Sequence, residues 1–504
     1  MQEIKIEKGF QSFSVVPAKI DFIDMVNKIK QSIKEFSLYR LNRDPVTKRT
    51  NYELEKSFFS IDFRNEKVIF VNTYFKQFIN IYSSIFKINV IENKDYKADA
   101  LLGVNIDSKF IPRDYQEEYI KAIVNNKTPR ILVDLYTGYG KSLIASISVV
   151  RRKKKFGLLV LATYIEKWIG DLLKYTNLKK EEIYVVQGSD SIRYLSTAPK
   201  EELDKYKCYI FSLTTMKRYV DNYLSITEEF KFDISPKDFI RRIKIETIVS
   251  DETHQEFHNV FNLTIVLDPK FMLALTATLI SNNKNEQKIQ NYFLPNNYRL
   301  SGIIEYEKYI ELYPISYQVT NVKALRAENQ FGYNHGKFED KIKKRKTTLK
   351  NYLNLIYFIT NGFYIKFRKD GDKCIIFAYT VDMCSIIRDD LRKRIKGLKI
   401  NKYTAEDDYK VIEESDIIIS TLGSAGTALD IPNLITVVQT VMIKSATANI
   451  QSLGRLRRLK DKRVRFVYMY ANNISKHNNY HKDRLNIFRD RVINIMNLNY
   501  TNPV

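Results

Sequence analysis

The chain has 504 residues, of which 44% are hydrophobic and 13% aromatic, enough for three or four folded domains of roughly 150 residues each. Its formal net charge of +24 favours a polyanionic partner, most plausibly nucleic acid, although a genome that favours Lys, Asn, Ile and Tyr codons would also produce such a surplus. Three cysteines without paired spacing and only five histidines argue against a disulfide framework and against a metal-rich enzyme.

The start of the chain is charged and lacks the apolar core of a signal peptide, as Met1–Lys8 shows. No run approaches the roughly 18 apolar residues that a membrane span needs. We therefore expect no membrane partner and a cytoplasmic location, which would be the host cytosol if the chain is viral.

The first 105 residues predict a small α+β accessory domain that carries no catalytic motif. Val68–Val71 is typical of a strand, and Ile20–Ile29 has the periodicity of an amphipathic helix. Lysines and aromatics alternate in Tyr74–Phe78, a pattern that serves either base stacking with phosphate contact or a small core with a solvated face. Both interpretations stay open from the sequence, and the domain is expected to recognise the substrate.

A phosphate-binding loop is predicted at Leu135–Ser142, between the apolar run Ile131–Val133 and a helical segment. In such a loop the backbone N–H groups and the helix N-terminus face the phosphates of a nucleotide. Lys141 would reach the β- and γ-phosphates, and the hydroxyl of Ser142 would bind Mg²⁺. Leu135 stands where the usual pattern has its first glycine, whereas the later Gly-x-Gly-Lys-Ser is intact.

Hydroxyl side chains follow two further apolar runs, which we interpret as strands. Leu158–Thr163 ends in Thr163, and Tyr209–Thr215 ends in Thr214 and Thr215. Because the carboxyl ends of parallel strands form the ligand crevice of an α/β sheet, these side chains are well placed to bind a ligand.

The pair Asp251–Glu252 closes another apolar strand, which puts two carboxylates at the mouth of the same crevice. Asp251 could hold Mg²⁺, and Glu252 could orient or deprotonate the attacking water. His254 and His258 have zinc-helix spacing, but Gln255 stands where the general base of such a site would be, so we reject zinc.

Two other segments carry polar side chains at useful positions. Gln116, about twenty residues before the phosphate loop, can recognise the adenine edge through its amide. Thr276 and Thr278 end an apolar strand and can bond across to the Asp-Glu segment, which would report the phosphate state to the rest of the molecule.

A second parallel α/β sheet without a phosphate loop is predicted from three apolar runs. These runs are Cys374–Thr380, Asp416–Thr421 and Ile435–Thr440. After them, Gln451–Arg458 is interpreted as a helix, on which Arg455 and Arg458 would share a face because they are three residues apart. Two guanidinium groups there could close on the γ-phosphate, although an ordinary basic helix face would have the same pattern.

Taken in order, these segments resemble the motifs of superfamily 2 helicases of the DExH type. The segments are Arg113–Gln116, Thr137–Ser142, Asp251–His254, Thr276–Thr278 and Gln451–Arg458. The resemblance covers about residues 106 to 475 and implies two RecA-like parallel-sheet lobes in tandem, with ATP and Mg²⁺ between them and nucleic acid across both. Within the family the chain is most similar to bacteriophage repair and recombination helicases of the UvsW type, and next to poxvirus transcript-release helicases.

The resemblance also implies roles for individual residues. Catalytic roles fall to Lys141, Asp251, Glu252, Arg455 and Arg458, and the metal ligands are Ser142 and Asp251. The nucleotide would be bound by Arg113, Gln116, Thr137, Gly138, Tyr139, Gly140, Lys141, Ser142, Asp430 and Gln451, with Asp430 near the ribose. Nucleic acid would be bound by Thr163, Thr214, Thr215 and Thr421, and coupling assigned to His254, Thr276 and Thr278. Ala428 stands where relatives usually have glycine.

The resulting expectation is an α/β protein with an accessory domain at 1–105, lobe 1 at 106–310, lobe 2 at 311–480 and a helix and tail at 481–504. The segment after Tyr470, rich in Asn, Lys and Arg, is interpreted as a closing helix and a frayed end. The leading hypothesis is an ATP-dependent helicase or translocase that remodels duplex, forked or branched DNA, with replication or recombination proteins as possible partners. The alternatives are an RNA helicase or transcript-release ATPase, and a non-catalytic module whose bound ATP acts as a static clamp.

Overall fold

The computed structural model describes most of the chain, and the statements below concern those residues alone. They are residues 2–43, 50–92, 96–136, 138–225, 232–277, 284–303, 307–329, 332–404, 407–424 and 431–504. The chain divides into two compact units, residues 1–304 and 305–504. The first unit contains an accessory domain and lobe 1, and the second unit is lobe 2.

The accessory domain combines a mixed sheet, a separate hairpin and three short helices. Its elements are β1 (Gln2–Lys8), β2 (Ser12–Pro17), α1 (Phe22–Lys28), α2 (Lys30–Glu35), β3 (Ser37–Arg43), β4 (Thr50–Ser57), β5 (Ser60–Asp62), β6 (Lys67–Val71), α3 (Phe75–Tyr82) and β7 (Phe86–Glu92). The sheet has the order β5-β6-β2-β1-β7, whereas β3 and β4 pair only with each other. Tyr74 and Phe78 are fully buried, so the core interpretation of that aromatic segment is correct and the stacking interpretation is wrong.

Lobe 1 alternates strands and helices, as its apolar runs predict. Its elements are α4 (Asp114–Val124), β8 (Arg130–Asp134), α5 (Lys141–Arg151), β9 (Phe156–Val160), α6 (Ile165–Tyr175), β10 (Ile183–Val186), α7 (Ser189–Thr197), α8 (Lys200–Lys205), β11 (Cys208–Ser212), α9 (Leu213–Leu224), α10 (Pro236–Arg242), β12 (Thr247–Ser250), α11 (Phe257–Leu267), β13 (Phe271–Thr276), α12 (Lys284–Phe293) and β14 (Arg299–Leu300).

The seven strands of lobe 1 form a parallel sheet in the order β10-β11-β9-β12-β13-β8-β14. Every residue of β9, β11, β12 and β13 is buried, which is expected when helices cover both faces of a parallel sheet. The chain leaves β8 and re-enters the sheet at β9, with β12 and β13 in between. Such a reversal of strand order creates the crevice in which open α/β sheets bind ligands.

The accessory domain is seated on lobe 1 through a buried polar joint. The side chain of Arg130 is fully buried, and its Nη1 donates to Gln11 Oε1 at 2.8 Å. The backbone N–H of Gln11 donates to Asp268 Oδ1 at 2.6 Å, and Lys237 pairs with Oδ2 of the same carboxylate at 2.8 Å. Burial lowers the pKa of Arg130 to about 10 and raises that of Asp268, because it disfavours the charged form of each group. The hydrogen bonds and the ion pair with Lys237 compensate for this cost.

Lobe 2 repeats the α/β alternation. Its elements are β15 (Ile310–Tyr317), β16 (Glu328–Asn329), β17 (Gly332–Tyr333), α13 (His335–Lys343), α14 (Lys346–Thr360) followed by a π-turn at Asn361–Ile365, β18 (Lys373–Ala378), α15 (Val381–Arg394), β19 (Ile400–Tyr403), α16 (Lys410–Glu414), β20 (Ile417–Thr421), β21 (Leu434–Gln439), α17 (Ala446–Leu453), β22 (Val464–Ala471), α18 (Ser475–Phe488), β23 (Asn494–Ile495) and β24 (Leu498–Asn499).

The sheet of lobe 2 is parallel, in the order β19-β20-β18-β21-β22-β15-β23, with β24 also paired to β15. The three predicted strands are confirmed as β18, β20 and β21. The expected frayed end is wrong, because β23 and β24 extend the sheet and Val504 is fully buried. The backbone N–H of Val504 donates to the carbonyl of Gln318 at 2.8 Å, which ties this segment to the end of β15.

None of the helices in the described ranges is long and apolar enough to cross a membrane. The strand predicted at Tyr209–Thr215 ends earlier than expected, at Ser212, because Leu213 already begins α9.

Buried histidines give lobe 2 a testable dependence on pH. Burial lowers the pKa of His477 to about 3 and that of His481 to about 4, against about 6.5 in an unfolded chain. The unfolded state therefore binds more protons below pH 6.5, so the stability that these groups contribute is present above that pH and is lost as the pH falls towards 4.

We expect the urea concentration at the midpoint of lobe 2 unfolding to be lower at pH 5.5 than at pH 7.5. The limiting slope is about 1.4 kcal/mol per pH unit for each histidine. The buried carboxyl group of Glu339, also in lobe 2, has a raised pKa and acts in the opposite direction, so the comparison with His481→Gln isolates the histidine contribution. That variant should lose less stability at pH 5.5 than the natural protein, and equal losses would contradict the assignment.

Candidate functional site

The predicted phosphate loop lies between β8 and α5, at the carboxyl edge of the lobe 1 sheet. Gly138 and Gly140 have φ values of 90° and 83°, a left-handed region that favours glycine. A Cβ on Gly140 would lie 2.4 Å from Gln116 Nε2, so no larger residue fits there without displacing that amide. Leu135, which replaces the usual first glycine, is 2% exposed and packs in the lobe 1 core. Thr137 lies outside the described residues.

The side chain of Gln116 is buried and holds the loop rather than projecting from it. Its Oε1 accepts from the Arg113 backbone N–H at 2.9 Å, and its Nε2 donates to the Tyr139 carbonyl at 3.1 Å. The hydroxyl of Tyr115 donates to the same carbonyl at 3.1 Å. The first turn of α4 thus fixes the middle of the phosphate loop.

Lys141 begins α5, and its ammonium group donates to the carbonyl of Leu135 at 3.0 Å. The side chain is 9% exposed, so the charge is held inside the loop at the helix N-terminus. An anion at this terminus would gain from the lysine charge and from the helix dipole together.

Asp251 and Glu252 follow the end of β12 in a tight turn. Glu252 has a φ of 47°, an uncommon conformation for a residue other than glycine and one that occurs at functional sites. Its N–H donates to Asp251 Oδ1 at 2.9 Å, and the other carboxylate oxygen of Asp251 accepts from the indole of Trp168 at 2.9 Å. Asp251 is therefore oriented by one backbone group and one side chain.

His254 lies between the charged groups of this turn and the end of β13. Its Nδ1 is 2.8 Å from Thr276 Oγ1 and 3.4 Å from Glu252 Oε2. Burial, together with the nearby charge of Lys141, lowers the pKa of His254 to about 4, and Asp251 opposes that shift. The imidazole is neutral near pH 7, and the structure brings Lys141, Asp251 and His254 together. Thr278 lies outside the described residues.

Helix α6 supplies two site residues that the sequence reasoning missed. Trp168 contacts Asp251 as described, and Asp171, one turn later, accepts a hydrogen bond from the Ser142 hydroxyl. Burial raises the pKa of Asp171, while Lys167 and Ser142 oppose that shift. The only tryptophan of the chain, followed three residues later by a carboxylate, was the available signal.

The hydroxyl residues predicted to bind nucleic acid lie at the starts of helices in lobe 1. Thr163 is exposed in a short turn between β9 and α6, and Thr214 and Thr215 lie in the first turn of α9. Thr215 Oγ1 accepts from the Gly188 N–H at 3.0 Å, beside a cavity of about 200 Å³ that Arg218 also lines.

The candidate residues of lobe 2 differ in one respect from the prediction. Helix α17 ends at Leu453, since Gly454 caps it, so Arg455 and Arg458 lie beyond the helix and do not share a helical face. Arg455 is 7% exposed, whereas the Arg458 side chain is 67% exposed and pairs with Glu307.

Two further residues belong to the same lobe. Gln451 lies on α17, and Thr421 ends β20, where its hydroxyl donates to Ser424 Oγ at 2.9 Å. Asp430 lies outside the described residues.

Comparison with known proteins supports a helicase-like architecture. Residues 109–281 match the sequence profile of the family described as type III restriction enzyme, res subunit. No curated protein sequence matches the chain.

Many solved structures are similar to the chain, among them the following three. Saccharomyces cerevisiae Dbp5 bound to RNA and ADP BeF3 has a TM-score of 0.50 and 13% identity, over 78% of this chain and 91% of that one. The Pyrococcus furiosus Hef helicase domain has a TM-score of 0.45 and 17% identity, over 74% and 98%. T4 UvsW has a TM-score of 0.34 and 13% identity, over 99% of both chains.

The similarity to Dbp5 and the two parallel sheets confirm the fold that the resemblance implied. The chain has a helicase-like ATPase fold with tandem RecA-like lobes, preceded by a small β-rich domain.

The contact between Trp168 and Asp251 makes a direct prediction. Addition of Mg²⁺ and a non-hydrolysable ATP analogue should change the intrinsic tryptophan fluorescence, because a metal at Asp251 competes with the indole N–H for the carboxylate. Asp251→Ala should give a different spectrum before any ligand is added, and no further change afterwards. An unchanged spectrum in both experiments would show that the indole does not respond to this carboxylate.

Proposed function

We propose that the protein is a nucleic-acid-stimulated ATPase that acts as a helicase or translocase on duplex, forked or branched DNA. The observation that carries the proposal is that the phosphate loop with Lys141 and the acidic turn with Asp251 and His254 are both hydrogen-bonded to the end of β13, at the carboxyl edge of the lobe 1 sheet. A buried lysine at a helix N-terminus, opposite an acidic turn, is the arrangement used for nucleoside triphosphate hydrolysis.

The described part of the phosphate loop fits a nucleotide. Its left-handed glycines leave backbone N–H groups to face phosphate, and Lys141 already donates to a loop carbonyl that a phosphate oxygen could replace. Gln116 and Tyr115 hold the loop open from the side of α4. In this proposal Gln116 positions the loop in addition to contacting the adenine.

The donors also fit Mg²⁺, which prefers oxygen ligands and is usually held by one or two protein groups together with substrate phosphates. Ser142 and Asp251 supply a hydroxyl and a carboxylate, and Asp171 accepts from Ser142 and so orients it. No group of three or more His, Cys, Asp or Glu side chains in the described ranges could hold a metal by itself. A magnesium ion here would therefore arrive with ATP and neutralise phosphate charge.

For hydrolysis, Glu252 is the group proposed to orient or deprotonate the attacking water. His254 can transmit a movement of Glu252 to the end of β13, since the Nδ1 of His254 contacts Thr276. From lobe 2, Arg455 and Arg458 are proposed to stabilise charge on the γ-phosphate. Gln451 and Asp430 are proposed as additional nucleotide contacts.

Nucleic acid is proposed to bind through Thr163, Thr214 and Thr215 of lobe 1 and Thr421 of lobe 2. The cavity beside Thr215 is also lined by Arg218 and Asn222, which suits a phosphate group. The net charge of +24 supports a polyanionic partner. DNA is preferred over RNA because of the resemblance to UvsW-type helicases, with the accessory domain selecting the substrate and replication or recombination proteins as further partners.

Lys141→Ala should abolish ATP hydrolysis and leave DNA binding largely unchanged, because the lysine contacts phosphate and not the nucleic acid. Hydrolysis is measured as phosphate release, and DNA binding by fluorescence anisotropy. Arg151→Ala, at the other end of α5, is a matched control that should retain activity. Residual hydrolysis comparable to that of the natural protein would contradict the site.

Arg455→Ala should lower the kcat of DNA-stimulated hydrolysis by about 10³-fold or more with little change in ATP affinity, as expected for a group that acts on the transition state. Arg457→Ala, which removes a neighbouring cation of the same segment, should have a small effect. Equal losses in both variants would instead indicate a general charge effect.

Single-stranded, duplex and forked DNA and matched RNA distinguish the alternatives. Stimulation by DNA supports the proposal, whereas preferential stimulation by RNA supports an RNA helicase or transcript-release ATPase. Slow turnover at saturating concentrations of every polynucleotide would support the static clamp.

A further inference from the structure

The hairpin of β3 and β4 exposes an apolar face that no other element covers in the described part of the chain. Tyr39 pairs with Leu54 across the strands, and Leu41 pairs with Tyr52. The four side chains are 48%, 56%, 62% and 74% exposed, in the order Tyr39, Leu54, Leu41 and Tyr52. Soluble proteins rarely leave such cross-strand neighbours uncovered on a two-stranded ribbon unless the surface binds something.

The other face of the hairpin is polar. Arg40 Nη2 is 3.2 Å from Glu53 Oε2, and Asn42 donates to Glu53 Oε1 at 2.8 Å. Side chains of a strand alternate between its faces, so the hairpin separates an ion-paired side from an apolar side. The exposure of the apolar side therefore does not arise from a random scatter of surface hydrophobics.

The base of the hairpin is fixed to lobe 1. Phe58, directly after β4, is fully buried and packs edge-on against Phe261 at 5.3 Å between ring centroids. The Ser57 carbonyl accepts from His258 Nε2 at 2.7 Å and from Asn262 Nδ2 at 3.0 Å. These three partners lie on α11, which starts three residues after His254. The hairpin is thus attached to the helix that follows the acidic turn.

We propose that this surface, formed by Tyr39, Leu41, Tyr52 and Leu54 and called the hairpin face, stacks two unpaired bases of the nucleic acid. The inference rests on the proposed function. Each tyrosine offers one ring to one base, and the leucines contact the sugar and the ring edges. Stacking accepts any base, because every base has an aromatic face.

Size and charge favour bases over a protein partner. Four partly exposed side chains present on the order of a few hundred Å², whereas a stable protein interface buries about 800 Å² on each partner. The positive charge of the whole chain favours a polyanionic partner. Exposed aromatic rings on a positively charged protein are the combination that single-stranded nucleic acid binds.

The attachment to α11 gives the hairpin face a second consequence. Bases bound to the hairpin face exert force on Ser57 through β4. The Ser57 carbonyl accepts hydrogen bonds from α11, the helix that follows Asp251–His254. Binding of an unpaired strand therefore acts on the segment proposed to activate water. We expect the hairpin face to raise DNA-stimulated hydrolysis and to leave hydrolysis without DNA unchanged.

The test compares Tyr39→Ala/Tyr52→Ala with the natural full-length protein. Binding of a fluorescein-labelled 20-nucleotide oligothymidylate should weaken about ten-fold for each ring removed, and binding of a blunt duplex should not change. The slope of log K against log salt should stay the same, because phosphate contacts are intact. The same variant should show the unstimulated rate of ATP hydrolysis but require more single-stranded DNA for half-maximal stimulation.

Three control variants separate stacking from other effects. Tyr39→Phe/Tyr52→Phe keeps both rings and should bind as the natural protein does. Leu41→Ala/Leu54→Ala removes the same cross-strand packing without a ring and should weaken binding much less. Arg40→Ala changes only the opposite face and should have little effect. Thermal unfolding of every variant checks that the hairpin stays folded.

Each result decides the inference. It is overturned if Tyr39→Ala/Tyr52→Ala, folded as the natural protein, binds the oligothymidylate with unchanged affinity. It is also overturned if the Phe variant loses as much as the Ala variant, or if the loss is equal for the blunt duplex. A natural protein that hydrolyses ATP without any stimulation by nucleic acid would instead contradict the proposed function, which is a separate outcome.

Discussion

The end of β13 holds the candidate ATP site of lobe 1 together. Its Thr276 carbonyl accepts from the N–H of Leu135, where the phosphate loop begins, and its Leu275 carbonyl accepts from the N–H of Thr253 in the acidic turn. The hydroxyl of Thr276 contacts His254. Because β13 lies between β8 and β12 in the sheet, two motifs that are 110 residues apart in sequence are fixed to the same two peptide units. Main-chain bonds in a buried sheet make this spacing rigid.

A second layer of contacts orients the groups that β13 positions. Trp168 and Asp171 come from α6, and Tyr115 and Gln116 come from α4, so α4 supports the middle of the loop and α6 supports both the acidic turn and Ser142 at the end of the loop. Such supporting contacts restrict the rotamers of the groups they touch. The turn before α6 contains Thr163, which the proposed function assigns to nucleic acid. Helix α6 therefore connects the proposed nucleic-acid contact at Thr163 with Trp168, which contacts the carboxylate of Asp251.

Much of this architecture was predictable because parallel strands are continuous apolar runs. The β8, β9, β12, β13, β18, β20 and β21 strands were all recognised in the sequence, as was the phosphate loop between β8 and α5. The prediction was wrong where a local sequence pattern was compatible with two different structures. Three-residue spacing suggested that Arg455 and Arg458 share a helix, but Gly454 ends α17 first. The polar composition of the tail suggested that it frays, yet β23 and β24 pair with β15 at the edge of the sheet.

The supporting residues were harder to find, because their role depends on distant neighbours. The single tryptophan marks this segment, but the sequence does not indicate that its indole donates to a carboxylate 83 residues away. Likewise, the local sequence did not distinguish the buried Tyr74 and Phe78 from the exposed Tyr39 and Tyr52, since all four aromatics lie in segments that also contain charged residues. The difference lies in whether a second layer covers the side chain, and a single sequence does not encode that locally.

Strand β8 carries a mechanical consequence through its two ends. Arg130, its first residue, is buried in the joint with the accessory domain, and the phosphate loop follows its last residue, Asp134. Five residues of extended chain measure roughly 16 Å. Because its first residue is fixed in the joint with the accessory domain, β8 cannot shift along its axis without moving both the joint and the phosphate loop. The accessory domain is therefore part of the frame against which the nucleotide site is held, and its removal would take away the hydrogen bonds of the Arg130 guanidinium to Gln11 and leave only its contacts within lobe 1.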